Sequence, residues 1–164
     1  MTSNGQNATL REATQEDVDD VADIWHLGWQ DGHLGSVSRE LIDARTEASF
    51  RSRAAERIGV TTVAIVDGVV AGFVMVVDDE VEQVYVSHDH RGSGVATALL
   101  AEAERQIRVA GHDSAWLAVV PGNGRARRFY ERSGWSDAGP FDYPASDRGR
   151  PIPVHCHRYV KAVR

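Results

Sequence analysis

A glycine-bearing run, Arg91-Gly92-Ser93-Gly94-Val95-Ala96, carries the clearest chemical signal in the sequence. It stands between a predicted strand and a predicted helix. The glycines therefore let several backbone N–H groups turn toward one point at the positive end of that helix. Arg91 can add a charge-assisted hydrogen bond to the same anion. The run indicates a seat for a pyrophosphate, although glycines at this place also suit an ordinary tight turn.

The elements around this run must position it. Val84 and Val86 alternate with Gln83 and Tyr85, which predicts a strand over residues 81–86. After the run, apolar residues at helical spacing predict a long helix that Gly111 ends, and the apolar residues 115–120 predict a buried strand. Strand, helix and strand make a parallel crossover unit, which leaves a ligand crevice beside the first strand's carboxyl end.

The first part of the chain predicts two helices and an antiparallel meander. Thr14 and Asp17 resemble a capping box, and the helix they start is expected to end near Gly28-Trp29. Ser38 is predicted to cap a second helix that runs to about Ala54. Asp67-Gly68 is a strong turn signal between strands over residues 60–66 and 69–77, which the strand over residues 81–86 extends.

The last part predicts a short helix and two strands around a loop. The helix covers about residues 123–132, one strand begins near Trp135, and the closing strand covers residues 154–160. Residues 141–153 hold three prolines and a glycine, which predicts a loop that is either a substrate lid or an irregular connection.

Composition limits what the protein is expected to be. The 164 residues, 42% of them hydrophobic, suffice for one core, and no apolar run approaches the roughly 20 residues that span a bilayer. A formal net charge of −6 argues against a nucleic-acid partner and favours a cationic small molecule. The lone Cys156 excludes an intramolecular disulfide and fits a reducing, cytoplasmic location. Residues 1–8 are polar without an apolar signal core, so we expect a flexible N-terminus before one domain over residues 9–164.

These features resemble the GCN5-related N-acetyltransferase (GNAT) superfamily. Its cofactor motif reads Gln or Arg, two residues, Gly, one residue, and Gly or Ala, which Arg91, Gly94 and Ala96 fit. A second signature is matched by Asn123, Ala126, Phe129-Tyr130-Glu131 and Gly134-Trp135. The order of elements agrees from about residue 9 to the end. It disagrees with a dinucleotide-binding fold, which usually opens on a strand of a βαβ unit.

The resemblance implies a single-domain α/β fold with a mixed, mostly antiparallel sheet flanked by helices, which binds acetyl-CoA. The backbone of the strand before the glycine run would pair with the pantetheine arm, and the amides of the run would take the pyrophosphate. Asn123 would reach the cofactor, cap its helix, or do both. The residues so assigned to acetyl-CoA are Val84, Tyr85, Val86, Arg91, Gly92, Ser93, Gly94, Val95, Ala96, Asn123 and Tyr130.

The same resemblance implies direct attack of a primary amine on the thioester, helped by an N–H of the strand at Val84 or Tyr85. Tyr130 would protonate the departing thiolate, although a tyrosine there also suits the core. Glu82 would contact the substrate and accept its proton. Water, His155 and His157 are the other candidate bases, and the non-functional alternative for Glu82 is an ordinary exposed strand residue. Trp25 and Trp29 would wall the acceptor pocket.

Other reactive residues are expected to play no direct part. The pairs His88, His90 and His155, His157 have no clear third ligand, so we expect no metal. Cys156 has no activating partner, which argues against a covalent acetyl-cysteine step.

The sequence thus predicts an acetyl-CoA-dependent N-acetyltransferase for a small-molecule amine. A protein N-terminal or lysine acetyltransferase is one alternative, and a non-catalytic acyl-CoA-sensing domain is another. Homodimers are frequent in the superfamily, and the final strand could mediate one.

Overall fold

A computed structural model describes residues 7–147 and 149–164. Residues 1–6, most of the stretch expected to be a flexible N-terminus, lie outside the described residues. The strands are β1 (Thr9–Glu12), β2 (Thr61–Val66), β3 (Val69–Val77), β4 (Glu80–Val86), β5 (Ser114–Val119), β6 (Ser136–Asp147) and β7 (Arg150–Ala162). The helices are α1 (Val18–His33), α2 (Arg39–Ala44), α3 (Glu47–Arg57), α4 (Val95–Val109) and α5 (Gly124–Arg132).

The described strands form one seven-stranded sheet in the order β1-β2-β3-β4-β5-β7-β6. Every neighbouring pair is antiparallel except β4 and β5, which are parallel and are joined by α4. The predicted mixed, mostly antiparallel α/β fold is confirmed. The short strand β1 was not predicted. The final strand β7 lies between β5 and β6, so a dimer through β7 would have to use its face.

Apolar clusters cover both faces of the sheet. On one face, Leu99, Leu100 and Ile107 of α4 pack over the central strands together with α5 residues such as Tyr130. On the other face, α1 and α3 bury Trp25 and Phe50 against the sheet. The sheet is therefore a layer between two sets of helices, which is why the central strands read as nearly continuous apolar runs.

The turn between β2 and β3 is the one that its sequence predicts. Asp67 and Gly68 both have positive φ, 51° and 78°, as a two-residue hairpin turn with a right-handed twist requires. The register shifts once, between Ala64 and Ile65, and beyond this bulge β3 presents Phe73 to the face covered by α1 and α3, and Val74 to the face covered by α4.

The first helix is longer than predicted, because Gly28 does not end it. A Cβ atom on Gly28 would lie 2.3 Å from a ring carbon of Tyr85, and one on Gly32 would lie 2.8 Å from Nδ2 of Asn123. Residues four apart share a helix face. The two glycines therefore form a flat face on α1 that lies against β4 and against the turn before α5.

The predicted second helix is two helices. Arg45 leaves the helical region with φ −96° and ψ 66°, and Thr46 then caps α3 by accepting a hydrogen bond from the Ser49 N–H at 3.1 Å. The prediction of one helix from Ser38 to Ala54 was wrong because a second capping residue interrupts the run.

The predicted loop over residues 141–153 was also wrong, since β6 and β7 form a long hairpin there. Pro144 is paired with Pro153, and because neither has an N–H, this pair must occupy a non-hydrogen-bonded site of the ladder. Such sites alternate along the strand. Pro151, opposite Ser146, and Pro140, opposite His157, fall on the same alternation. The prolines therefore remove no ladder hydrogen bond.

Replacing Gly28 with alanine tests the close packing of α1 on β4. Alanine is favoured over glycine inside a helix, but the added methyl would collide with the Tyr85 ring. We expect Gly28→Ala to lower the free energy of unfolding by about 1–3 kcal/mol, measured by urea denaturation. Gly59→Ala is the control, because a Cβ there meets nothing within 4 Å. Equal stability of the two variants would contradict this packing.

Candidate active site

The strands β4 and β5 meet at one position and then separate. Glu80 is in parallel register with Trp116, whose N–H donates to the Asp79 carbonyl at 3.0 Å. From there β5 follows β7, with which it pairs from Ser114 to Val119. Within residues 7–147 and 149–164, no further pair joins β4 to β5. One edge of β4 therefore stays open along the segment that holds Val84, Tyr85 and Val86.

The glycine run lies directly beyond this open edge. Gly92 and Gly94 have φ of 77° and 89°, in the left-handed region that favours glycine, and α4 begins without a side-chain cap. Among the described residues, no backbone carbonyl accepts a well-formed hydrogen bond from the N–H groups of residues 92–96. A helix start with free amides and a positive dipole end is a seat for an anion, so the loop fits a pyrophosphate.

Arg91 ties the loop to the first helix. Its guanidinium donates to the Asp31 carboxylate of α1 at 2.6 Å. The loop is braced at its other side by Ser93, whose hydroxyl donates to the His90 carbonyl, and by a 2.7 Å contact between Ser87 Oγ and His90 Nδ1. These contacts hold the turn in shape without using the free amides.

A cavity of about 210 Å³ opens between the separated strands. One wall consists of residues 81–85 of β4 and the other of residues 117–120, in β5 and just after it. The cavity continues under α1 and α3 to the hairpin of β6 and β7. It therefore extends from the open edge of β4 to the side of the sheet covered by α1 and α3.

Tyr130 is both a core residue and a cavity residue. Its ring packs near those of Trp135 and Tyr159, with centroids 6.3 and 6.2 Å away, and 8% of the residue is exposed. Burial raises the pKa of the Tyr130 hydroxyl, so the group stays protonated and is available as a proton donor. The hydroxyl makes no hydrogen bond to any described residue, which leaves it free for a ligand in the cavity.

Glu82 lies at a bulge and faces into the cavity. Met75 is opposite Gln83 and Val76 is opposite Val81, so Glu82 is the extra residue of β4. Its side chain is 10% exposed and forms an ion pair with Arg57 at 2.8 Å. Glu82 is therefore not an ordinary exposed strand residue.

Glu80 is a second carboxylate in the same cavity, and the sequence analysis missed it. It accepts a hydrogen bond from the Tyr143 hydroxyl at 2.7 Å. Burial, helped by the charge of Glu82, raises the pKa of Glu80 despite that hydrogen bond. The alternation of Glu80 and Glu82 along a strand was a readable signal, but Tyr143 lay in a segment predicted to be a loop.

Trp25 and Trp29 line the cavity, and both also belong to the core. Trp29 stacks on His33 with ring centroids 5.0 Å apart, and His33 Nδ1–H donates to the Trp29 carbonyl at 3.1 Å. Burial lowers the pKa of His33 to about 4. A histidine of such low basicity is a poor proton acceptor, so His33 contributes a neutral ring to the lining of the cavity.

Asn123 caps α5, since its Oδ1 accepts from the Ala126 N–H at 3.2 Å. Its side chain also lines the cavity and touches α1 beside Gly32. The cap is therefore present, and the same side chain borders the cavity. Of the other residues assigned to the cofactor from the sequence, Val84, Tyr85 and Tyr130 line the cavity, whereas Val86 and residues 91–96 do not.

The remaining reactive side chains lie apart from the cavity or are inert. His157 contacts Asp137 at 2.9 Å and His155 is largely exposed, and neither lines the cavity. Cys156 does line it, but burial raises the pKa of its thiol to about 11, which disfavours the thiolate. No group of three or more possible metal ligands occurs among the described residues. None of the described helices is long and apolar enough to cross a membrane.

Three arginines at the inner end of the cavity were not predicted as site residues: Arg45, Arg53 and Arg57. Arg53 and Arg57 are four residues apart, a spacing that puts them on one face of a helix. That spacing was visible in the sequence. What was not visible is that this face of α3 is turned toward the bulge of β4.

Comparison with known proteins identifies both the family and the fold. The profile of the Acetyltransferase (GNAT) family matches residues 18–135. No curated protein matches the chain by sequence. A crystal structure of a GCN5-related N-acetyltransferase from Rhodopseudomonas palustris superposes with a TM-score of 0.74 at 22% identity, covering 95% of this chain and 96% of that one.

Two similar structures hold a ligand. A putative acetyltransferase from Salmonella typhimurium, solved with its cofactor acetyl-CoA, has a TM-score of 0.70 at 19% identity, covering 96% of this chain and 95% of its own. An N-acetyltransferase from Thermoplasma acidophilum in complex with coenzyme A has a TM-score of 0.69 at 16% identity, covering 95% and 99%. At these identities the likeness establishes the fold.

Proposed function

The chain belongs to the acetyltransferase (GNAT) family, and we propose from this premise that it is an acetyl-CoA-dependent N-acetyltransferase that modifies a primary amine of a small molecule. The observation that carries the proposal is the separation of β4 from β5, which opens the edge of β4 into a cavity near a loop of free amides. Bound acetyl-CoA would supply the thioester whose carbonyl the amine attacks.

Residues along the open edge are proposed to hold the cofactor. The backbone of Val84, Tyr85 and Val86 is proposed to bond the pantetheine arm as a missing strand would, because β5 has left that edge without a partner. The amides of Gly92, Ser93, Gly94, Val95 and Ala96 are proposed to bind the pyrophosphate, with Arg91 beside them and Asn123 on the opposite wall.

Three groups are proposed to carry the chemistry. A carboxylate of the pair Glu80 and Glu82 accepts the proton that the ammonium must lose before its nitrogen can attack. The nitrogen of the neutral amine bonds to the carbonyl carbon before the C–S bond breaks. The Tyr130 hydroxyl gives its proton to the departing sulfur, and the second proton that the nitrogen loses returns to Tyr130. An N–H of β4 near Val84 polarises the carbonyl.

The two carboxylates are suited to different parts of this task. Glu82 forms an ion pair with Arg57 at 2.8 Å, and its carboxylate is proposed to attract the ammonium and keep it beside Glu80. Burial raises the pKa of Glu80, which makes its ionised form a stronger base than an ordinary exposed carboxylate. Neither His155 nor His157 lines the cavity, which leaves water as the remaining alternative base.

The size and lining of the cavity support a small acceptor. A chamber of about 210 Å³ under Trp25, Trp29 and the hairpin of β6 and β7 suits a short amine better than a folded protein surface. A protein N-terminus or lysine side chain could enter only as an extended arm. A sensing domain without turnover would keep the loop but has no use for two carboxylates in a buried chamber.

Thiol release tests the function directly. We expect the purified chain to release free coenzyme A from acetyl-CoA when a suitable amine from a panel of amino acids, polyamines and short peptides is added. Tyr130→Phe should lower kcat at least about tenfold, because one proton donor is lost, with little change in acetyl-CoA affinity measured by calorimetry. Binding without release for every amine would favour the sensing domain, and a normal rate in Tyr130→Phe would remove Tyr130 from the mechanism.

The pH dependence of the rate tests the carboxylate pair. The ionised form accepts the proton, and the pKa of Glu80 is raised, so kcat/KM should fall as pH drops through a value above the usual carboxyl range. Glu80→Gln should remove this acid limb, and Glu80→Gln with Glu82→Gln should lower kcat/KM by about 100-fold. A double variant with the wild-type rate and profile would identify water as the base.

A further inference from the structure

The inner end of the cavity is rich in arginine. Arg45, Arg53 and Arg57 line it, and the same three residues, with Ser146, also line a wider groove of about 870 Å³ between α2, α3 and the tip of the hairpin of β6 and β7. These shared residues mark the passage by which a second reactant would reach the carboxylates. None of residues 91–96 lines either space, so the arginines are no part of the pyrophosphate seat.

Among the described residues, Arg57 has an ion-pair partner, whereas Arg53 has none. Arg57 forms the ion pair with Glu82 at 2.8 Å. Arg53 lies over the Trp25 ring at 4.8 Å, and its Nη1 is buried without a hydrogen-bond partner among the described residues. Burial lowers the pKa of Arg53 even though the charge of Glu82 acts in the opposite direction. A buried guanidinium nitrogen without an acceptor is costly and needs an explanation.

Arg45 adds a second buried cation at the same place. It sits at the break between α2 and α3 and is 8% exposed. Its side chain forms no ion pair or hydrogen bond within the described part of the chain. Burial and the neighbouring charge of Arg53 lower its pKa to about 10, against the weaker pull of Asp147. Two largely buried guanidinium groups thus lie near each other, and within the described residues neither has a direct ion-pair partner.

We propose that the acceptor is an amine that also carries a carboxylate, and that Arg53 and Arg45 bind this carboxylate at the passage between the two spaces. The proposal rests on the proposed acetyl transfer. The amine is directed to Glu80 and Glu82, and the carboxylate takes the hydrogen bonds that Arg53 lacks. A guanidinium fork matches a carboxylate in geometry and charge.

The local charge of the cavity lining, more than the net charge of the chain, decides which acceptor fits. The formal charge of −6 favours cationic ligands at long range, but its field is screened within about 10 Å at ordinary salt. A purely cationic acceptor such as a polyamine would place its second ammonium beside two unpaired guanidinium groups. An acceptor with one amine and one carboxylate complements both ends of the chamber.

Matched acceptors test this inference. Glycine, β-alanine and 4-aminobutyrate would be compared with methylamine, ethylamine and propylamine, which lack only the carboxylate, and α-amino acids with their amides. We expect at least one carboxylate acceptor to exceed its partner by about tenfold or more in kcat/KM, because a desolvated charge pair discriminates strongly. The chain length that gives the largest ratio reports the distance between the two ends of the site.

Variants show whether the preference comes from these arginines. Arg53→Gln should reduce the preference to within about twofold, and Arg45→Gln should reduce it in the same direction. Arg51→Gln is the control, since Arg51 is on the same helix but pairs at the surface with Asp19 at 3.6 Å. The thermal midpoint of Arg53→Gln should be equal to or above that of the wild type, because a buried unpaired charge is removed.

The outcomes separate this inference from the proposed function. Equal rates with and without the carboxylate, or a preference that survives in both Arg53→Gln and Arg45→Gln, would overturn the inference while leaving acetyl transfer intact. N-acetylglycine and its longer analogues provide a second readout by calorimetry. If they bind the wild type and not Arg53→Gln, but no amine releases thiol, the carboxylate site stands and the proposed function fails.

Discussion

The separation of β5 from β4 beyond the pair Glu80 and Trp116 is the constraint on which the site depends. Backbone N–H and C=O groups inside a protein need partners, and a central strand normally finds them on both sides. β4 has β3 on one side, but after Glu80 and Trp116 it has no strand on the other. An open edge in the middle of a sheet is costly unless a ligand uses it. Every other feature of the site is arranged around this gap.

The remaining elements line the gap and leave it open. Gly28 and Gly32 let α1 lie against Tyr85 and Asn123, so the helix covers one side of the cavity without filling it. The hairpin of β6 and β7 brings Tyr143 to Glu80, and α3 brings Arg57 to Glu82. The free amides after Arg91 and the two unpaired arginines lack an anion, and the two carboxylates lie between them. The pyrophosphate of acetyl-CoA, together with a separate acceptor that carries an amine and a carboxylate, would complement these groups.

Local sequence signals predicted much of this arrangement. The strand, glycine run and helix around Arg91, and the Asp67-Gly68 turn, are short-range features whose residues determine their own conformation. The hairpin of β6 and β7 was hidden because its prolines were counted as breakers, whereas their alternate spacing puts them where no N–H is needed. Arg45 and Arg53 could not be identified as site residues, since their meaning depends on the fold that turns α3 toward the bulge at Glu82.

Amide hydrogen exchange with and without acetyl-CoA tests the central claim, that the open edge of β4 is the cofactor's binding strand. In the free protein, the amides of residues 81–86 that face the gap and those of residues 92–96 should exchange rapidly. Saturating acetyl-CoA should slow exchange in both segments together, and Gly94→Val should abolish that protection by straining the loop. Binding that protects other segments and leaves residues 81–86 unchanged would contradict the account.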